Sequence, residues 1–267
     1  MENTLQERHL LQILYARAFF FKLMPPPTRR KACSAKLNYC LIDKIRVKTD
    51  NHFVFSARNS LQAEERNRFM TDNAKIQPFN MKNLPLLVDV VLPLWSPSVG
   101  DAEFKRFDVE YIIRNNLSEN NYRFELVDSD GTLLAAAFFE RKGDKSKADE
   151  WFAAESVKFS DELKAACELS RSYIELMDKR AHSIMNDDDI KLSFFASRKK
   201  GFGAVLLDNL FEKFRAEGWK NLYLWTDCDC NWHWYEKHGF TLVEENTYAP
   251  FSSEHEDYKT YIFKKAF

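Results

Sequence analysis

The sequence predicts an α+β domain, because strand-like and helical segments both occur and two neighbouring strands form a hairpin. Residues 122–127 and 132–140 are rich in strand-forming residues, and the Asp-Ser-Asp-Gly segment at 128–131 is typical of a hairpin turn. Further along, a strand-like apolar run at 190–196 leads through a glycine-containing turn into a strongly helical segment at 205–217.

A strand and two helices are expected before the hairpin. Residues 74–79 predict an opening strand, and Asn83 in front of a Leu-Pro pair marks the start of a helix over 84–95. A second helix is predicted at 102–115, where aromatic residues and Ile recur at helical spacing.

A helical insertion is expected between the third and fourth strands, at residues 145–185. Its apolar stripe indicates an amphipathic helix or a helix pair and consists of Phe159, Leu163, Ala166, Tyr173, Ile174 and Met177. We expect this insertion to pack against its own domain, with an oligomer contact as the alternative. Three more strands, at 221–226, 241–245 and 258–264, complete the predicted domain.

The composition is that of a soluble globular protein, with 45% apolar residues, 30% charged residues and a net charge of −1. No run of about eighteen uncharged apolar residues occurs, so we expect no membrane association. The five cysteines are odd in number and irregularly spaced, which argues against a disulfide framework. A cytoplasmic protein is therefore predicted.

The first 69 residues differ from the rest of the chain. They hold 13 Lys and Arg against 6 Asp and Glu, whereas residues 70–267 hold 26 against 34. The basic segment lacks the clustered Lys and Arg runs of nucleic-acid-binding arms, so no nucleic-acid partner is expected. We interpret residues 1–69 as a basic extension that is disordered or not translated, with Met70 as the alternative start, and residues 70–267 as the folded domain.

The most informative segment is a basic turn at 197–204, with the sequence Ser-Arg-Lys-Lys-Gly-Phe-Gly-Ala. At the start of a helix, such a turn presents backbone N–H groups without intrahelical partners, and the helix dipole adds partial positive charge. Gly201 and Gly203 permit φ > 0 and a close approach of phosphate to the amides. The pattern predicts a phosphate-binding turn.

A second motif follows about thirty residues downstream, where Tyr235 begins the sequence Tyr-Glu-Lys-His-Gly-Phe in front of another strand. The order strand, Arg-x-x-Gly-x-Gly turn, helix, strand, Tyr-Glu-Lys-x-Gly-Phe helix and strand resembles the GNAT superfamily of acyl-CoA-dependent N-acetyltransferases. The resemblance is close over 190–245 and looser back to about residue 74. It implies a mixed, mostly antiparallel central sheet, flanked by helices and splayed to admit acetyl-CoA, in which the insertion at 145–185 departs from the usual family plan.

The resemblance also implies roles for residues of both motifs. Tyr235 matches the family's general acid, a phenol that protonates the departing thiolate, and the alternative is a tyrosine that only packs against Phe240 and the sheet. In the family, a backbone N–H at a bulge in the strand before the turn polarises the thioester carbonyl. The expected CoA-binding residues are Arg198, Lys199, Lys200, Gly201, Phe202, Gly203, Ala204 and Asn231.

Two positions depart from the family pattern. Ser197 stands where a longer loop is usual, and Cys228 stands where a polar residue, often Asn, precedes the tyrosine by about seven positions. Asn231 takes that role from a shifted position, or the acidic residues beside Cys228 reorganise the site. The general base stays open between Glu140, Asp189 and Asp227, each of which is otherwise a surface carboxylate.

Cysteine and histidine side chains near the second motif suggest two other kinds of site. Cys228, Cys230, His233 and His238 are of zinc-ligand type, but their compressed spacing across a strand end and a helix opposes tetrahedral coordination, so we expect no metal. A cysteine nucleophile is a further alternative, although direct transfer requires none.

We predict that the chain transfers an acetyl group from acetyl-CoA to an amine of a small molecule or protein by direct attack on the thioester. The alternative is a non-catalytic CoA-binding or regulatory module on the same fold. The acceptor is an amine whose identity the sequence does not specify, and a homodimer is left open.

Overall fold

The computed structural model describes residues 74–198 and 201–267, so the predicted extension at 1–69 lies outside the described residues. The strands are β1 (Ala74–Pro78), β2 (Arg123–Asp128), β3 (Leu133–Glu140), β4 (Asp189–Ser197), β5 (Asn221–Asp227), β6 (Thr241–Thr247) and β7 (Lys259–Ala266). The helices are α1 (Leu84–Trp95), α2 (Ala102–Asn115), α3 (Ala148–Glu155), α4 (Asp161–Ile184), α5 (Phe202–Ala216) and α6 (His233–Lys237).

The seven strands form a single sheet in the order β1-β2-β3-β4-β5-β7-β6. Every neighbouring pair is antiparallel except β4 and β5, which run parallel. The prediction of an α+β fold with a mixed, mostly antiparallel sheet is thus confirmed. The helices α3 and α4 lie between β3 and β4, where the helical insertion is expected.

Helices cover both faces of the sheet, because side chains of successive strand residues point to opposite faces. On one face, Leu206, Leu210 and Phe214 of α5 pack with apolar residues of β2 to β5 and β7. We call this the α5 face. On the other face, α1 packs against β3 and β4, and α4 packs against β5 and β7. We call this second face the insertion face.

The insertion packs against its own domain, as expected. Tyr173, Met177 and Ala181 of α4 lie in one buried cluster with Tyr223 of β5 and Ile262 of β7. The earlier part of α4 contacts α2 and α3 through a second, aromatic cluster. Helix α4 therefore connects the outer helices to the central strands on the insertion face.

Some local predictions differ from the structure in detail. Asn83 does precede α1, but its side-chain amide donates to Glu125 at 2.9 Å and makes no cap hydrogen bond.

Within the described part of the chain, none of the helices has the length and apolarity needed to cross a membrane. The cytoplasmic location and the homodimer stay predictions.

Candidate active site

A gap opens in the middle of the sheet where β4 and β5 separate. Their parallel pairing covers three residue pairs, the first Asp189 with Asn221 and the last Lys191 with Tyr223. Beyond these pairs, the rest of β4 is paired with β3, and the rest of β5 is paired with β7. The pairing between β4 and β5 therefore ends early, as in the splayed sheet implied by the resemblance, and the two strands continue without pairing to each other as far as Ser197 and Asp227.

A β-bulge lies in β4 at the point where the two strands begin to separate. Phe194 pairs with Phe138, but Leu192 pairs with Phe139, so Ser193 is the extra residue. The Ser193 hydroxyl lies 3.1 Å from the Phe138 carbonyl oxygen and 3.2 Å from the Asn116 carbonyl oxygen. A bulge leaves backbone groups outside the regular hydrogen bonding between strands. This bulge lies in β4, the strand in which the resemblance implies a backbone N–H that polarises the thioester carbonyl.

The predicted phosphate-binding turn leads directly into α5 at the open end of β4. Gly201 precedes the helix with a φ of 101°, a conformation that favours glycine, and no acidic residue lies in the first helical turn. Phe202, Gly203 and Ala204 form that turn, and the first N–H groups of a helix have no intrahelical partner. The segment therefore has the local geometry of an anion-binding helix start.

Arg198, the first basic residue before the turn, contacts the backbone of β3. Arg198 is exposed, and its guanidinium Nη1 donates to the Leu133 carbonyl at 3.3 Å. Its backbone N–H donates to the Leu134 carbonyl at 2.9 Å, which extends the β3–β4 ladder by one residue. Lys199 and Lys200 lie outside the described residues. The predicted contacts of these three side chains with CoA stay predictions.

Gly203 is required by packing, and the positive φ that a glycine permits is not used at this position. The positive-φ glycines include Gly201 but not Gly203. A Cβ atom at Gly203 would instead lie 2.5 Å from Cζ of Phe195, a distance that real side chains do not reach. Phe195 projects from the separated part of β4 and also contacts the ring of Trp234 at a centroid distance of 6.0 Å. Phe195 therefore bridges β4, α5 and α6 beside the gap.

Tyr235 lies on α6, at the α5 face of the sheet. Its ring packs against Phe240 and Phe263, with centroid distances of 5.5 and 5.8 Å. Burial, Cys230 and Asp227 all raise its pKa, so the phenol stays protonated at neutral pH. The packing and the protonated state occur together, so packing alone does not exclude the predicted general-acid role.

Asp227 ends β5 at the open end of the gap and points towards the insertion face. Tyr173 of α4 donates its hydroxyl proton to Asp227 Oδ2 at 3.1 Å, and the Asp229 backbone N–H donates to Oδ1 at 3.2 Å. Burial raises the pKa of Asp227, against the opposing effect of hydrogen bonds from Tyr258, Tyr173 and Cys230. Partial burial and the nearby Asp227 raise the pKa of Asp229 to about 6.

The other two candidate bases lie at the closed end of the gap. Glu140 is 5% exposed, and its Oε1 lies 2.7 Å from Lys191 Nζ and 2.9 Å from His182 Nε2. Burial acts to raise the pKa of Glu140, but the charge of Lys191 and the hydrogen bonds from Lys191 and His182 outweigh it and lower the pKa to about 2. Asp189 is buried and accepts from Asn186 and Asn221. Both carboxylates lie at the paired end of the gap, which leaves Asp227 as the candidate at the open end.

The cysteines and histidines near α6 make local contacts. Burial raises the pKa of Cys228 to about 11. The pKa of Cys230 is also raised, by desolvation of its thiol and by the nearby Asp227. Both cysteines are therefore protonated thiols at neutral pH. His233 pairs with Glu236 at 3.0 Å, and His238 Nδ1 lies 2.7 Å from the Trp234 carbonyl. Across residues 74–198 and 201–267, no group of three or more His, Cys, Asp or Glu side chains could hold a metal ion.

Asn231 lies exposed in the turn before α6, where its carbonyl oxygen accepts from the Trp234 N–H at 3.0 Å. Its predicted contact with CoA stays a prediction. Sequence reasoning did not find Tyr173 and Phe195 as residues of this site. Tyr173 is one residue of an apolar stripe and Phe195 one residue of an apolar strand, and only the tertiary structure brings them to the gap.

No protein-family model matches the chain, and no curated protein matches it either. Similar solved structures include the ribosomal-protein-S18-alanine N-acetyltransferase of Escherichia coli, at 14% identity over 72% of this chain and 93% of that chain, with a TM-score of 0.43. Arylalkylamine N-acetyltransferase 2 of Aedes aegypti is 12% identical over 73% and 99% of the two chains, with a TM-score of 0.42. A GCN5-related N-acetyltransferase of Kribbella flavida is 11% identical over 73% and 98%, also with a TM-score of 0.42. At these values, similarity alone assigns neither an activity nor a substrate to this chain.

Proposed function

We propose that this chain transfers an acetyl group from acetyl-CoA to an amine. The observation that carries the proposal is the gap between β4 and β5, which has a helix start without acidic residues on one side and the protonated Tyr235 near the other. A thioester reaching from that helix start into the gap would approach the bulge at Ser193.

The residues at the helix start fit the pyrophosphate of CoA. Gly201 has a positive φ, and no acidic side chain in the first turn of α5 would repel an anion. The N–H groups of Phe202, Gly203 and Ala204 would hold the phosphates, with Arg198 and its two lysine neighbours supplying positive charge. When bound, acetyl-CoA supplies an acetyl group activated as a thioester.

The chain's own residues then provide two kinds of catalytic assistance. Backbone N–H groups near the β4 bulge would stabilise the negative charge that develops on the carbonyl oxygen during attack by the amine. Tyr235 would donate its phenolic proton to the departing sulfur, since the phenol is protonated at neutral pH. Attack by the amine is direct, since both nearby cysteines are protonated thiols.

The proposal is tested by following thiol release from acetyl-CoA with the full-length protein. Three acceptors cover the main amine classes: spermidine as an aliphatic polyamine, tyramine as an arylalkylamine, and a peptide with a free α-amino group. Amine-dependent thiol release and a matching acetylated product support the proposal. Calorimetric binding of CoA without acetylation of any acceptor would favour the non-catalytic CoA-binding module, and absence of both would overturn the site assignment.

A further inference from the structure

The helical insertion contributes a buried hydroxyl to the open end of the gap. Tyr173 of α4 is 4% exposed and Asp227 is 7% exposed, and their hydrogen bond is 3.1 Å long. The Asp229 N–H holds the second carboxylate oxygen at 3.2 Å. One donor from α4 and one from the chain after β5 therefore hold both oxygens of Asp227.

We propose, on the basis of the proposed acetyl transfer, that Asp227 is the general base for the acceptor amine and that Tyr173 is the residue that positions it. Asp227 ends the separated part of β5, which is paired with β7 and not with β4. It faces the insertion face, whereas Tyr235 lies on the α5 face. Base and acid therefore approach the gap from opposite faces of the sheet.

This arrangement accounts for both protons that an ammonium acceptor loses on becoming an amide. The nitrogen gives one proton to Asp227, directly or through one water, and its lone pair then forms the C–N bond as the C–S bond breaks. Tyr235 protonates the departing sulfur, and the second proton lost by the nitrogen restores the phenol. Asp229 is exposed next to Asp227 and has a pKa of about 6, which suits it to pass the first proton to solvent.

Groups on several elements influence the charge of Asp227. Tyr173 of α4, Tyr258 before β7 and Cys230 after β5 are hydrogen-bonded to it, and each bond favours the ionised carboxylate. The neighbouring carboxylate of Asp229 opposes ionisation, since each of the two charges disfavours the other. Removal of the Tyr173 hydroxyl therefore raises the pKa of Asp227 further.

The test compares the pH dependence of kcat/KM for the full-length wild type and Tyr173→Phe, with an acceptor that the wild type acetylates. We expect the acid limb of the profile to move to higher pH by about 0.5 to 1 unit in the variant, because one hydrogen bond to the carboxylate is lost. Tyr248→Phe is the matched control: Tyr248 packs on the Tyr173 ring at 4.8 Å, but is not among the groups that bond Asp227. We expect no shift of its acid limb.

A readout without turnover separates this inference from the proposed function. The carboxyl carbon of Asp227 is followed by NMR in protein labelled with 13C-aspartate, and its signal is assigned by its absence in Asp227→Asn. The apparent pKa measured from this signal should be higher in Tyr173→Phe than in the wild type. Loss of at least 10²-fold in kcat/KM with retained CoA binding is expected for Asp227→Asn. An active wild type whose acid limb and Asp227 titration are the same in Tyr173→Phe would overturn the inference. A wild type that binds CoA but acetylates no amine would refute the proposed function itself.

Discussion

The stability of the fold should depend on pH through Asp108, a carboxylate of α2 that contacts α4. Asp108 is 1% exposed, its Oδ1 accepts a hydrogen bond from the Cys167 thiol at 3.0 Å, and its Oδ2 has no hydrogen-bond partner among the described residues. Burial outweighs the hydrogen bond from Cys167 and raises the pKa from the ordinary value of 3.8 to about 6. The folded protein therefore holds this proton more tightly than the unfolded chain does.

The direction of the effect follows from this difference in proton affinity. Below about pH 4 the carboxyl is neutral in both states and contributes nothing, and stability falls as the pH rises from about 4 to about 6 because the unfolded chain ionises first. At 1.36 kcal/mol for each pKa unit, the loss at neutral pH is about 3 kcal/mol. Asp108→Asn has nearly the same shape and cannot ionise. We expect it to be more stable than the wild type by about 3 kcal/mol near pH 7.5 and by about 1.5 kcal/mol near pH 5.

Urea unfolding of the full-length protein, followed by tryptophan fluorescence at both pH values, measures these differences. The neutral carboxyl and the amide each leave one buried polar atom unpaired, so that cost nearly cancels in the comparison. Asp257→Asn, at an exposed position, is the matched control and should change stability by less than about 0.5 kcal/mol at either pH. A gain for Asp108→Asn that is equal at both pH values, or a loss at the higher one, would show that Asp108 ionises normally in the folded protein.

Three other predictions concern the site and its support. Tyr235→Phe should lower kcat by about 10² or more while CoA affinity in calorimetry is retained, and equal turnover would mean that the tyrosine only packs. Gly203→Ala should cost about 1 to 3 kcal/mol in urea unfolding because its methyl group meets the Phe195 ring, and Phe195→Leu in the same chain should recover part of the loss. Lys191→Met should lower the unfolding free energy by about 3 to 5 kcal/mol, because it leaves Glu140 and Asp178 without their buried cation. An unchanged Tm for Lys191→Met would show that this ion pair has no net effect.

Local features of the fold were predictable from the sequence because they depend on neighbouring residues. The hairpin turn at 128–131 holds Gly131 at a φ of 85°, and α2 begins and ends where its helical spacing indicated. The turn before α5 was likewise visible, since a positive φ at Gly201 needs only the local chain. The splay between β4 and β5 came from the resemblance, because strand pairing joins residues about thirty positions apart.

Contacts between distant segments of the chain were not predictable in the same way. Gly203 is required by the ring of Phe195, a contact with a strand residue that the sequence of the turn does not reveal. Asp227 could not be separated from Glu140 and Asp189 in the sequence, since all three lie at strand ends. The sheet topology separates them, because it puts two at the closed end of the gap and one at the open end. The contact of Tyr173 with Asp227 depends on where α4 packs.

The three pairs that join β4 to β5 also define a seam between two half-sheets, one of four strands and one of three. The seam is reinforced by side chains, since Asn221 donates to Asp189 and Trp225 of β5 donates to the Asp178 carboxylate that also binds Lys191. Each wall of the gap belongs to a different half-sheet, so the separation of the two walls depends on the three joined pairs several residues away. Substitutions at the seam should therefore change the separation of the gap's two walls, although the seam residues lie outside the gap.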